Sequence, residues 1–136
     1  MKKGLFYLLS LTWGLPLTLV GGVVAGALRL CGIKPFRFGL CLCFEVGRSW
    51  GGLNLGLVIL CGRGASDRIK RHEHGHAIQN CRLGPLILPL VLASAARYHD
   101  RNRRAKRGET LPPYDAWWFE GQATALGDQY FQEMEG

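Results

Sequence analysis

Apolar residues along the chain fall into four blocks, each with its own rhythm. Residues 4–28 carry no charge and show no polar stripe. Residues 39–46 (GLCLCFEV) alternate, which sets Leu40, Leu42, Phe44 and Val46 on one face of a strand and Cys41 with Cys43 on the other. Residues 53–61 (LNLGLVILC) form a second extended run, and the glycine-rich GRSWGG between the two runs predicts a β-hairpin. Arg63, Gly64 and Ala65 break the pattern. Ser66 or Asp67 can then cap a helix running to about Asn80. Residues 83–96 are apolar again but contain Pro85 and Pro89. That block is too short to span a bilayer comfortably, so it reads as a buried core helix or as an interfacial or re-entrant piece. Its continuation over residues 97–107 holds six Lys or Arg and is expected to be solvated. GETLPP is a loop, Asp115 is suited to an N-cap, and residues 116 to about 134 form the last helix. Together these elements predict an α+β fold, with a short β-hairpin packed on two helices behind an N-terminal transmembrane helix.

The first block decides how the chain is divided. At 1.5 Å rise per residue, residues 4–28 can cross a ~30 Å hydrocarbon core with some tilt. Pro16 and the Gly21-Gly22 pair would kink such a helix, which a bilayer tolerates. A cleaved signal peptide is the rival, since Lys2-Lys3 resemble an n-region and Ala25-Gly26-Ala27 has the A-x-A form. The apolar run is well beyond the usual ~7–15 residues of a cleavable core, which favours a retained anchor. The chain therefore divides into an anchor over residues 1–30 and a single domain over residues 31–136. Lys2 and Lys3 precede the anchor; Arg29, Lys34, Arg37 and Arg48 follow it. The excess on the C-terminal side predicts a single-pass protein with its domain on the cytoplasmic face.

Charge and cysteine content narrow the partners. The net charge of +7 suits an anionic membrane surface or nucleic acid. Aromatic residues do not interleave with the basic run as in a single-strand groove, so membrane lipid is expected and nucleic acid is not. The five cysteines include no CxxC, which argues against a disulfide framework and a zinc knuckle. They read as small apolar residues kept reduced.

Candidate chemistry is concentrated in residues 70–80, KRHEHGHAIQN, which contain three of the four histidines. His72-Glu73-His74-Gly75-His76 matches H-E-x-x-H, a motif expected by chance about 0.005 times at this length and composition. Residues four apart on a helix differ by about 40° around its axis, so His72 and His76 project side by side. Two imidazoles so placed can hold one Zn²⁺ and leave positions open for a third ligand and water. Glu73 falls between them in angle, within reach of that water without taking a ligand position. His74 lies about 200° from both and is not expected to bind.

A hydrolytic zinc site normally has three protein ligands. The extended H-E-x-x-H-x-x-G-x-x-H motif is absent, because Gln79 and Arg82 occupy its last positions. His99, Asp100, Asp115 and Glu120 remain downstream. His99 and Asp100 sit in the basic stretch and Asp115 is better used as a cap. Glu120 lies in an apolar helix beside Trp117, Trp118 and Phe119, and Gly121, Ala123 and Ala125 would let that helix lie close to the histidines. Glu120 is the expected third ligand.

HEHGHAIQN, then CRLGPL, the Arg97-Tyr98 pair and LPPYDAWWFEGQATALG resemble small bacterial membrane proteins of gluzincin-type zinc metallopeptidase character. The resemblance covers roughly residues 38 to 131. It implies a zincin-like fold, with His72, His76 and Glu120 as metal ligands and Glu73 as general base. Members of that group often carry Tyr where His74 stands, and Pro-Ser where this chain has Ala93-Ser94. The implied function is a membrane-anchored zinc metallopeptidase acting on a peptide or protein through a zinc-activated water, with residues 53–61 as the edge strand above the metal. Tyr98, His99 and Tyr114 are unranked choices for stabilising the oxyanion. An intramembrane protease is disfavoured because Arg68, Lys70 and Arg71 precede the motif. A non-enzymatic zinc protein of the membrane surface and a degenerate peptidase are the remaining alternatives.

Overall fold

The computed structural model describes residues 2–135. The N-terminal apolar block forms two helices, α1 (Lys3–Ser10) and α2 (Leu15–Leu30), bent by 86°. Thr12 and Pro16 explain the break. The Thr12 hydroxyl donates to Leu8 O at 2.7 Å and ends α1, while Pro16, having no N–H, starts α2 as a first-turn residue. The corner rests on the rest of the protein: Trp13 Nε1 donates to Arg82 O at 3.1 Å, and Asn80 Nδ2 donates to Gly14 O at 3.0 Å. The kinked N-terminal helix expected from composition is therefore two helices, with the break before Pro16 and none at Gly21-Gly22. Alone, α2 reaches only about 24 Å, short of a ~30 Å hydrocarbon core. By length and composition, the bent pair taken together can cross a membrane, as can the helical stretch Asp67–Lys106.

The two N-terminal helices have one buried and one exposed side. Phe6 and Leu17 are fully enclosed, and the Tyr7 hydroxyl donates to Leu40 O at 2.8 Å. Burying two such side chains contributes on the order of 3–6 kcal/mol. Leu5, Leu8, Leu11, Trp13, Leu19 and Val23 face outward.

The strands are β1 (Phe36–Phe38), β2 (Cys41–Glu45), β3 (Gly52–Leu55) and β4 (Val58–Cys61), in sheet order β1-β2-β4-β3. The expected hairpin between residues 39–46 and 53–61 does not form. The second run instead folds on itself as the antiparallel pair β3–β4, and β4 then pairs parallel with β2. The cause is a local turn at Asn54. Its Oδ1 accepts from Gly56 N–H at 2.9 Å and its Nδ2 donates to Gly56 O at 3.0 Å, while Gly56 supplies a φ of 72°. Of this pair only β3 lies at a sheet edge, opposite β1 at the other edge; β4 is interior.

The sheet is covered on both faces. Cys41, Cys43, Ile59 and Cys61 meet Phe6, Ala77, Ile78 and Cys81 on one side; Phe44, Leu55 and Val58 meet Leu17, Ile87 and Phe119 on the other. Leu42, on the same strand face as the buried Phe44, is exposed. All five cysteines are free thiols, four buried and Cys31 exposed.

Helix α3 (Asp67–Leu83) starts at Ser66, whose Oγ accepts from Ile69 N–H at 3.4 Å. Gly84 ends it at φ 58°, and after a 3-10 turn the chain enters α4 (Ile87–Lys106). Pro89 lies in the first turn of α4, where its missing N–H has no helical partner to lose. Helix α5 (Trp118–Glu135) begins two residues later than expected, because Asp115 lies within a 3-10 turn over Tyr114–Ala116 and does not cap it.

Candidate metal centre

Helices α3 and α5 cross with almost no side chain between them. A Cβ on Gly75 would lie 1.8 Å from Ala123 O, and one on Gly127 would lie 1.9 Å from Arg71 O. Ala123 is fully buried at the same crossing, whereas Ala125, expected at the contact, is exposed. The approach carries Glu120, 0 % exposed, into the gap between His72 and His76.

There the three expected ligands converge, with donor atoms all within 4.8 Å of one another. His72 Nε2 and His76 Nε2 lie 2.8 and 3.0 Å from the same oxygen, Oε2 of Glu120. The other carboxylate oxygen, Oε1, accepts from the Ser94 hydroxyl.

The surrounding hydrogen bonds decide what those nitrogens present. Gln79 Nε2 donates to Phe119 O and to Gln122 Oε1, both at 2.9 Å. A backbone carbonyl can only accept, so the amide nitrogen is on that side and Oε1 faces His76. His76 Nδ1 must therefore be the donor in its 2.6 Å bond to Gln79 Oε1. In a neutral imidazole, Nε2 is then a lone pair. His72 follows the same logic. Thr124 Oγ1 donates to Glu120 O at 3.3 Å, leaving its lone pair to accept from His72 Nδ1 at 2.8 Å. Two nitrogen lone pairs and a carboxylate oxygen thus point at one spot. Lone pairs repel, so the arrangement calls for a cation among them, either shared protons or a metal ion. Two imidazoles and one carboxylate are a ligand set that Zn²⁺ accepts, so the donors fit a zinc ion.

Electrostatics agree with the geometry. Burial opposes ionisation of Glu120, but the contacts from His72 and His76 outweigh it and hold the carboxyl well below the usual carboxylate range. Burial also opposes protonation of His76, and there the neighbouring Glu120 and Glu73 prevail and raise it.

Glu73 is not in the cluster. It is buried beside it, takes part in no hydrogen bond among the described residues, and packs under β3 so closely that a Cβ on Gly52 would lie 2.8 Å from its Cγ. Burial raises its carboxyl above the ordinary value, with His76 and His72 pulling the other way. A free carboxylate with raised basicity is suited to accept a proton.

His74 points away, as its helical angle requires. It is fully buried between Phe6 and Tyr130, stacked at ring separations of 6.0 and 4.5 Å, and its Nε2 accepts from Leu40 N–H at 3.1 Å. It is a core residue joining α3 to the sheet. His99 and Asp100 are exposed on α4, which removes His99 as an oxyanion partner. Tyr98 and Tyr114 instead line the cleft over Glu73. Burial pushes the Tyr114 phenol up to about 12, so it stays a donor at neutral pH.

Gln79, Thr124 and Ser94 were not singled out from sequence. Gln79 carried a usable signal, since it stands three residues after His76 and seven after His72, on the face that binds. Comparison with protein-family models, with curated proteins and with solved structures finds no match to this chain.

Proposed function

We propose that this chain is a membrane-attached zinc metallopeptidase of zincin-like form. The observation that carries the reading is the convergence of His72 Nε2, His76 Nε2 and the Glu120 carboxylate beside an unengaged, buried Glu73. Among the described residues only three donors gather, which leaves the coordination open as hydrolytic sites require. Bound there, zinc supplies Lewis acidity to a carbonyl and to a water molecule. The rest of the work falls to the chain. His72, His76 and Glu120 are held in place by Thr124, Gln79 and Ser94 respectively. Glu73 takes a proton from the attacking water and returns it to the departing amine as the C–N bond breaks, so one water is consumed and a carboxylate and an amine are released. Tyr98 and Tyr114, both phenols over the cleft, are the donors available to the developing oxyanion. The substrate lies along β3, whose Gly52 end runs over Glu73.

The exposed apolar residues of α1 and α2 attach the protein to lipid, and the Lys and Arg excess after them puts the catalytic part on the cytoplasmic side. Elemental analysis of the purified full chain should find about one zinc per protein, lost in His76→Ala. Peptide cleavage by zinc-loaded wild type should fall about 10²–10⁴-fold in Glu73→Gln, with metal retained. Equal cleavage by both proteins would refute the role of Glu73.

A further inference from the structure

The cleft over Glu73 is not uniform. Gly52, Glu73, Tyr98 and Tyr114 form a waist shared by two open cavities. On one side the wall is apolar, built from Leu17, Leu53, Ile87, Val91 and Phe119. Leu17 belongs to α2, so the N-terminal helix is itself part of that pocket. On the other side the cavity is wider and carries Arg68, Arg101 and Asn102, with Asp115 as its acid besides the waist residue Glu73. Arg68 is exposed, and the Arg101 guanidinium lies over the Tyr114 ring at 5.5 Å from its centroid. The ring orients that guanidinium at the cavity wall.

A chain threaded past Glu73 meets an apolar pocket before the waist and two guanidinium groups after it, or the reverse. We infer that the substrate is a peptide with an apolar side chain on one side of the cleaved bond and a carboxylate on the other, either Asp or Glu within the chain or a C-terminal carboxylate. This rests on the peptidase reading for its chemistry but not for its recognition. The apolar side chain leaves water in the pocket closed by α2, and the carboxylate meets Arg68 and Arg101 in the fork geometry that guanidinium favours.

The test separates the two. Full-length Glu73→Gln protein, zinc-loaded in detergent, is titrated with fluorescent peptides and binding is read by anisotropy. One peptide has Leu and an internal Glu with an amidated C-terminus; a second replaces Glu by Lys. A third has no acidic side chain but a free C-terminal carboxylate, and a fourth replaces Leu by Ser. At least one carboxylate peptide should bind about tenfold more tightly than the Lys peptide, as two partly exposed charge contacts allow. The first and third peptides distinguish side-chain from terminal carboxylate. Arg68→Glu is at an exposed position in the first turn of α3, where an acid is tolerated, and it should reverse the preference. Val91→Trp should weaken the Leu peptide toward the Ser peptide by filling the pocket. Equal binding of acidic and Lys peptides, or no binding of any, overturns the inference. Preferential binding that wild type does not follow with cleavage upholds the bipartite recognition and overturns the peptidase reading. Cleavage without the preference does the opposite.

Discussion

Hydrogen-bond bookkeeping at single residues determines which nitrogen each histidine offers. His72, His76, Glu73 and Glu120 were legible in the sequence because helical spacing and an apolar neighbourhood suffice to find them. Thr124 and Ser94 were not, because their partners come from other helices; Gln79 meets His76 within α3, but the bond to Phe119 O that orients its amide spans 40 residues, which no single-helix argument sees. Gln79→Leu removes the acceptor that fixes the His76 tautomer. Zinc affinity should drop about 10–100-fold, measured by competition with a chromogenic chelator; unchanged affinity would discount the tautomer argument. His74 offers the contrast. Reading its angle correctly excludes it as a ligand, but it is not dispensable. His74→Ala should keep one zinc while destabilising the fold by about 2–4 kcal/mol, through a cavity and an unpartnered Leu40 N–H. Acid adds a second signature. Burial lowers His74 from 6.5 to about 4, so below 6.5 the unfolded chain takes up a proton that the folded chain refuses. Stability is therefore lost as pH falls from 6.5 toward 4, by about 3 kcal/mol in all. In metal-free protein, melting curves of wild type should show this loss and those of His74→Ala should lack that share of it.

Among the elements, the α3–α5 crossing is what makes two motifs into one site. Gly75 is the small residue of α3 at this crossing, and the small residues expected on the facing helix locate the contact only in part: Ala123 is there, Ala125 is not, and Gly127 completes it. A small residue on a helix declares close approach without declaring to what. The strand reading failed for a similar reason. Alternation describes residues 53–61 as extended on either side of Gly56, and only the Asn54 side chain reports the reversal. Gly75→Ala tests the crossing directly. Its Cβ would sit 1.8 Å from a backbone oxygen, so the helices must separate. Overpacking of this kind costs about 1–3 kcal/mol or more, and a shift of even a few tenths of an ångström moves Glu120 off the histidines. The expected result is weakened zinc binding with helix content retained by circular dichroism. Full zinc affinity in Gly75→Ala would show that the crossing does not set the site.

At the scale of the whole molecule, the N-terminal segment is a structural part of the fold, and in the proposed reading its outer face is also the attachment to lipid. Composition showed 25 uncharged residues and suggested a tether independent of the domain it carries. Packing ties the two together: Phe6 and Leu17 lie in the two cores, Trp13 and Gly14 bond to the end of α3, and Leu17 walls the cleft. Cleavage after Ala27 would remove all four. Two variants separate the roles. Leu19 and Val23, 58 % and 75 % exposed, stand four apart on the outer face of α2 and touch neither core. Changing both to Glu should leave zinc content and melting temperature near wild type, since exposed positions on a helix change stability by only about 0.5 kcal/mol. The same change puts two charges where lipid is expected, so the variant should move from the membrane pellet to the supernatant in alkaline carbonate, where wild type stays behind. Deleting residues 2–30 should do something different. Losing Phe6 alone costs about 3–5 kcal/mol, a large share of a domain's stability, so the truncated chain should aggregate or fail to hold zinc. A truncated protein that is soluble, zinc-loaded and as heat-stable as the full chain would reduce the segment to a tether. A Leu19→Glu/Val23→Glu chain that remains in the pellet would place the membrane contact on another face.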